Sequence, residues 1–170
     1  MNIIMSITMS SDSLRALRHP EMNEVDSTVI KSNILIEQQL NEIVKDYFFH
    51  PKYFKDDNIS LATICKFAQA ASLSYSDDKI WTIIKKLSSF RNKIAHNLQH
   101  PKRDTEIRNL KHLYNALFLH KLDKHFLWKD NDSDAMGLHI VTLTCLSFLI
   151  EVHNEVKRLK ISRINSRDKK

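Results

Sequence analysis

Val25, Val29, Ile36, Leu40, Ile43 and Tyr47 recur at three- and four-residue steps, the spacing of one face of an α-helix. They predict a long amphipathic helix over about residues 21–49, with one gap in the apolar series at Ser32-Asn33. The segment 50–58, with Pro51 and Asp56-Asp57, reads as a loop. Ser60 is placed to cap a short helix that ends near residue 72. Ile80, Ile83, Ile84, Leu87, Phe90 and Ile94 form one stripe of a further helix, capped by Ser76 or Asp77 and running to about residue 97. His100-Pro101 disfavours its continuation. Asp104 or Thr105 opens another helix, reaching roughly residue 126. The polar stretch 129–134 separates it from the last, at about residues 135–160. Ahead of all these, residues 10–13 precede a short helix from Leu14 that Pro20 interrupts. The expected organisation is a flexible leader (1–13), one helical domain (14–160) and a basic tail (161–170).

The last helix breaks the amphipathic rule. Leu138, Ile140, Val141, Leu143, Cys145, Leu146, Phe148, Leu149 and Ile150 leave it apolar on most sides. Such a helix is either enclosed by others or covered by a second subunit. The run 140–150 is too short, and too interrupted by Thr142, Thr144 and Ser147, to be expected to span a membrane. The first nine residues lack a basic start, so no signal peptide is expected.

Composition narrows the fold class. One glycine and three prolines in 170 residues leave too few turn formers for an all-β or α/β protein. The expectation is all-α: a bundle of about five helices with antiparallel core helices, in a single domain. With Gly137 as the only glycine, a glycine-rich phosphate loop is excluded. The net charge of +6 favours a polyanionic partner. Residues 157–170 contribute seven basic side chains against Asp168 alone, a segment expected to be a frayed solvated tail or a nonspecific RNA contact. Cys65 and Cys145 lie in separate apolar segments without metal or redox spacing, which suggests buried free thiols and a cytoplasmic setting. Trp81 and Trp128 read as packing residues.

The candidate chemistry sits in Phe90-Arg91-Asn92-Lys93-Ile94-Ala95-His96. Arginine grips phosphate bidentately, and histidine moves protons near neutral pH. On an ideal wheel with Leu87 at zero, Arg91 falls at about 40°, Asn92 at about 140° and His96 at about 180°. Arg91 therefore borders the core, while Asn92 and His96 share the opposite face, with Lys85 on the same polar side. An arginine there requires an acid or an anion. A histidine opposite the core is enclosed only if a second surface covers it, as a two-fold copy would do. These groups suit RNA cleavage without a metal: the 2′-hydroxyl attacks, His96 transfers the proton, and Arg91 stabilises the phosphoryl oxygens, leaving a 2′,3′-cyclic phosphate. A metal site is not expected. His96 and His100 are four apart, but only Asp104, beyond Pro101, is a nearby carboxylate.

Arg91-Asn92-Lys93-Ile94-Ala95-His96 resembles the arginine–four residues–histidine motif of the HEPN superfamily, including its polar residue after the arginine. Ile34-Leu35-Ile36-Glu37-Gln38-Gln39-Leu40 resembles the first helix of its mannitol-repressor-like branch. The likeness spans roughly residues 25–151, with the hexapeptide its specific part. The resemblance implies a homodimeric helical bundle with a composite cleft, acting as a metal-independent endoribonuclease of a toxin–antitoxin or phage-defence system. It implies Arg91 and His96 as catalytic, Asn92 as supporting, and Glu37 as an acid that orients Arg91. Lys85 and Lys93 are the expected RNA-binding lysines. The implied partners are RNA, a second copy and a cognate antitoxin or regulator, with no cofactor, no metal and no membrane. One toxin branch carries a tyrosine two residues past the histidine, the target of its antitoxin; here that position is Leu98, so control by that route is not expected. The alternative is a noncatalytic regulatory or nucleic-acid- or protein-binding module of the mannitol-repressor-like kind.

Overall fold

The computed structural model describes residues 22–50, 59–76, 78–96, 102–118 and 127–167. Among these the chain forms five helices and no strand: α1 (Glu24–Tyr47), α2 (Leu61–Ala71), α3 (Ile80–His96), α4 (Arg103–Phe118) and α5 (Asp134–Arg167). The leader, the short helix expected from Leu14, the loop 51–58, Asp77, Leu98 and His100-Pro101 lie outside the described residues.

Side chains close several helix starts, because the first amides of a helix have no partner within it. Asn23 Oδ1 accepts from the Asp26 amide at 2.9 Å, and Ser60 Oγ from the Thr63 amide at 3.2 Å. At the start of α3 it is Asp78 whose carboxylate accepts from the Ile80 amide, at 2.9 Å, in place of Ser76. α5 extends seven residues past the expected end, so the segment taken for a frayed tail is helical through Arg167. At 34 residues it is the longest helix described.

α1 packs most of its length on α5, and a series of polar contacts fixes their direction. The Ser32 and Thr142 hydroxyls lie 2.7 Å apart, and Gln39 meets His153 at 3.0 Å. Asp46 meets His153 at 2.7 Å and Lys157 at 3.5 Å. Lys160 donates to the Phe48 carbonyl at 3.1 Å. Partner numbers rise together, so α1 and α5 run parallel. This corrects the expectation of antiparallel neighbours: hairpin logic constrains consecutive helices, whereas three helices intervene between these two.

The core lies between α1, α3 and α5, around residues such as Ile30, Leu40, Ile83, Leu87, Leu138 and Leu149. Phe148 of α5 sets its ring edge-on to Trp81 of α3 and to Tyr75 ahead of it, with centroids at 5.2 and 5.8 Å. Trp81 and Trp128 are both buried, as expected of packing residues. Asn115 of α4 holds the backbone of Trp128 at both its N–H and its C=O, at 3.0 and 2.8 Å. Cys65 and Cys145 are buried free thiols. Burial pushes both thiols up, opposed at Cys65 by the charge of Lys85.

The α2–α3 connection is tied to α5 by one carboxylate. Glu155 accepts from the Ser72 hydroxyl and the Leu73 amide at 3.0 Å each, and from the Ser74 amide at 2.9 Å. By length and composition, the stretch Asp134–Ser166 of α5 could cross a membrane, although half of its most apolar window is packed inside the bundle.

Candidate functional site

A polar seam runs along the buried stripe of α1. Asp26, Asn33 and Glu37 share that stripe with Ile30, Leu40, Val44 and Tyr47, at alternating three- and four-residue steps. Each of the three polar residues is aimed at α3 or at the start of α4.

Asn33 is buried and donates from Nδ2 to two carbonyls: Val29 on its own helix at 2.9 Å and Leu87 on α3 at 3.1 Å. Leu87 lies one helical turn before Arg91, so this bond sets the position of the motif helix against α1. Glu37 is half-buried and lies within the electrostatic reach of Arg91. Burial raises its carboxyl above the ordinary range, and the Arg91 guanidinium pulls it partly back. The acid that the sequence singled out on the first helix thus lies within electrostatic reach of the arginine that it was expected to orient.

Arg91 itself is half-buried, at the core margin that the helical wheel predicts. Its Nη1 donates to Asn92 Oδ1 at 2.9 Å. Neighbouring side chains on a helix diverge by about 100°, so this bond requires the long arginine side chain to curl around the helix. The guanidinium is thereby drawn from the core margin toward the face that carries Asn92 and His96, both exposed. The wheel tracks only where side chains begin, and so does not register this reach.

The two lysines expected to hold RNA have other partners in this structure. Lys93 is ion-paired with Glu106 of α4. Lys85 donates to Gln69 of α2 at 3.0 Å. Lys85 also sits nearly two turns before Arg91, toward the other end of α3.

Sequence reasoning missed the charges around the His96 end of α3. The Lys93–Glu106 pair brings the start of α4 against this end. Arg103, in the first turn of α4, reaches Asp26 of α1 at 3.6 Å. Asp26 is only 1% exposed, and among the described residues its Oδ1 has no hydrogen-bond donor. Burial raises its carboxyl, with the charge and hydrogen bond of Arg103 acting in the opposite direction. The signal that could have found Asp26 and Asn33 is their spacing: with Glu37 they are polar residues in register with the apolar stripe of α1.

Among the described residues, no three His, Cys, Asp or Glu side chains gather as a metal site requires. The arrangement instead offers a partly buried guanidinium held by an amide, with a carboxylate within its electrostatic reach, next to an exposed face with an amide and an imidazole. Such a set can bind an anionic oxygen and relay a proton. No family model, curated protein or solved structure matches the chain.

Proposed function

We propose that the protein is a metal-independent endoribonuclease of the HEPN type, in which Arg91 and His96 act on the scissile phosphodiester. The observation that carries this reading is the Arg91–Asn92 hydrogen bond, which turns the guanidinium toward the His96 face while Glu37 stands behind it. Arg91 binds a non-bridging phosphate oxygen and stabilises the charge that grows there. His96 takes the 2′-hydroxyl proton or delivers one to the departing 5′-oxygen. Asn92 holds the guanidinium in place. Glu37 is a positioning residue, because it touches Arg91's environment and not the substrate. A second copy covering the exposed His96 face supplies the complementary acid or base and excludes water. A cognate antitoxin or regulator then acts by covering or modifying this face.

The test is cleavage of single-stranded RNA by purified protein in excess chelator, with the products examined for 2′,3′-cyclic phosphate ends. His96→Ala and Arg91→Ala should each lower the rate by about 10² or more, with helicity and melting temperature unchanged. Undiminished cleavage by the double variant overturns the reading. The second reading, a noncatalytic binding module, is favoured by the ion pair that occupies Lys93. RNA bound but left intact, with affinity indifferent to His96→Ala, is its signature.

A further inference from the structure

The C-terminal end of α1 carries a cluster of rings and cations in which Arg91 and His96 have no part. Tyr47, Phe48 and, from α2, Phe67 form a chain of rings set edge-on, with successive centroids 5.2 and 6.4 Å apart. Phe49 continues the run of aromatic residues. It is 40% exposed and Phe67 42%, so two of the four rings present a large part of their surface to water. α5 passes beside them and supplies the cations. Lys160 stands 5.8 Å over the Phe49 ring while it holds the Phe48 carbonyl, and Arg163 stands 5.2 Å over the Tyr47 ring. From 156 to 166 the helix has Lys157, Arg158, Lys160 and Arg163 and no acid. Among the described residues only Lys157 of these four is bonded to a carboxylate, that of Asp46. Residues 161–166 are exposed throughout, so the cluster lies open along the end of α5. It is also remote from the candidate site. The Arg103–Asp26 pair draws the start of α4, and with it the His96 end of α3, to the opposite end of α1, about 30 Å from Tyr47 at 1.5 Å per residue.

We propose that this cluster is a second nucleic-acid contact, a platform that holds a single strand without regard to its sequence or its sugar. A nucleotide chain repeats a phosphate and a flat base, and a cation fixed beside an aromatic ring answers both. Lys160 and Arg163 are already held over rings, so they lose little freedom when a phosphate arrives. The rings select the strand state. A single strand can lay base faces on Phe49 and Phe67, whereas a duplex keeps its base faces inside its own stack and offers only grooves and phosphates. Nothing in the cluster reads a base edge in a fixed geometry, so thymine and uracil strands should bind alike. An anionic membrane is the weaker fit. A helix lying in a lipid interface sorts apolar side chains to one face and charges to the other. On the wheel of α5 the exposed Ile164 falls between Lys157 and Lys160, so that sorting is absent.

The test uses a strand that cannot be cut by 2′-hydroxyl attack, so it stands or falls apart from the RNA-cutting reading. Fluorescence anisotropy of labelled oligothymidylate with the full chain should show binding that weakens with salt and is matched by oligouridylate. Phe49→Leu combined with Phe67→Leu keeps apolar bulk but removes two ring faces, and should weaken binding about tenfold or more. Phe49→Trp should retain it. Arg163→Gln should lower affinity and flatten the dependence of log affinity on log salt by about one. His96→Ala and Arg91→Ala should leave oligothymidylate binding unchanged. No binding at low salt overturns the proposal, as does affinity indifferent to both the double leucine variant and Arg163→Gln. Duplex DNA bound as tightly as the single strand removes the role of the rings and overturns it too. Binding lost on Arg91→Ala places the contact at the candidate site instead. Capture by phosphatidylserine vesicles, lost when Ile161 and Ile164 are both replaced by Asn, together with no affinity for oligothymidylate, gives the cluster to a membrane.

Discussion

An ideal Cβ placed on Gly137 would fall 1.8 Å from Trp128 Cε2 and 2.1 Å from Cδ2 and Nε1. The glycine sits in the first turn of α5, where its flexibility is a handicap, and alanine there would gain about 1 kcal/mol of helix propensity. It is tolerated because a buried indole lies flat on the helix backbone, itself held by Asn115. Gly137→Ala should therefore destabilise the protein, by about 1–3 kcal/mol from overpacking, even though propensity alone predicts the opposite sign. Urea denaturation measures the difference directly, and a gain in stability would show that Trp128 can move aside. At the candidate site the decisive residue-level fact is similar in kind: a side chain's reach, invisible to a helical wheel, brings Arg91 to Asn92.

At the scale of elements, all five described helix cores were legible: α1 and α3 from their apolar stripes, because burial of one face is what makes such helices form, α2 and α4 from the residues that open them, and α5 from its apolar run. The ends were less legible. Asp78, not Ser76, closes the start of α3, and α5 outruns its apolar pattern because Lys160 and Arg163 find the Phe48 carbonyl and the Tyr47 ring at the end of α1. The site was legible in its residues but not in its surroundings. Arg91, Asn92, His96 and Glu37 could be named from the chain alone. The pairing of Asp26 with Arg103 could not, since it joins the starts of α1 and α4 across distant sequence. Glu155 is a further case: an acid in a helix interior gave no hint that three groups of the α2–α3 connection converge on it. Removing its charge should loosen that connection. Glu155→Gln should cost on the order of 1–2 kcal/mol and speed amide hydrogen exchange at Leu73 and Ser74 well beyond that at core amides. Equal exchange at these sites in the two proteins would mean that the connection is held by other contacts.

For the molecule as a whole, the four carboxyls shifted among the described residues divide into opposing pairs, and the division predicts the shape of its stability against pH. Burial raises Asp26 and Glu37, with Arg103 and Arg91 only partly offsetting it. A carboxyl raised in the folded state binds its proton more tightly there than in the unfolded chain. Its ionisation then costs stability as pH rises through the folded value, and acidification from neutrality toward about pH 4 relieves that cost. Asp46 and Glu155 are the reverse. Burial raises them too, but bonds from His153 and Lys157 to Asp46, and from Ser72, Leu73 and Ser74 to Glu155, outweigh it and leave both lowered. Their contribution is full above the ordinary carboxylate range, and it disappears as pH falls below about 4 through the folded values. Stability should thus hold or rise slightly from pH 7 to about 5 and then fall steeply below about 4. The two limbs are separable by substitution. Asp26→Asn should flatten the limb between about pH 4 and 7, because the buried charge is gone and Arg103 remains a third exposed to water. Asp46→Asn should lower stability at neutral pH and soften the fall below about pH 4, since the carboxylate that favours the folded state is no longer there to be protonated. Chemical denaturation of the three proteins at half-unit pH intervals resolves both effects. A wild-type profile that declines steadily from pH 7, or an Asp26→Asn profile parallel to it, would mean that the buried Asp26 carboxylate is as well satisfied by Arg103 as by water.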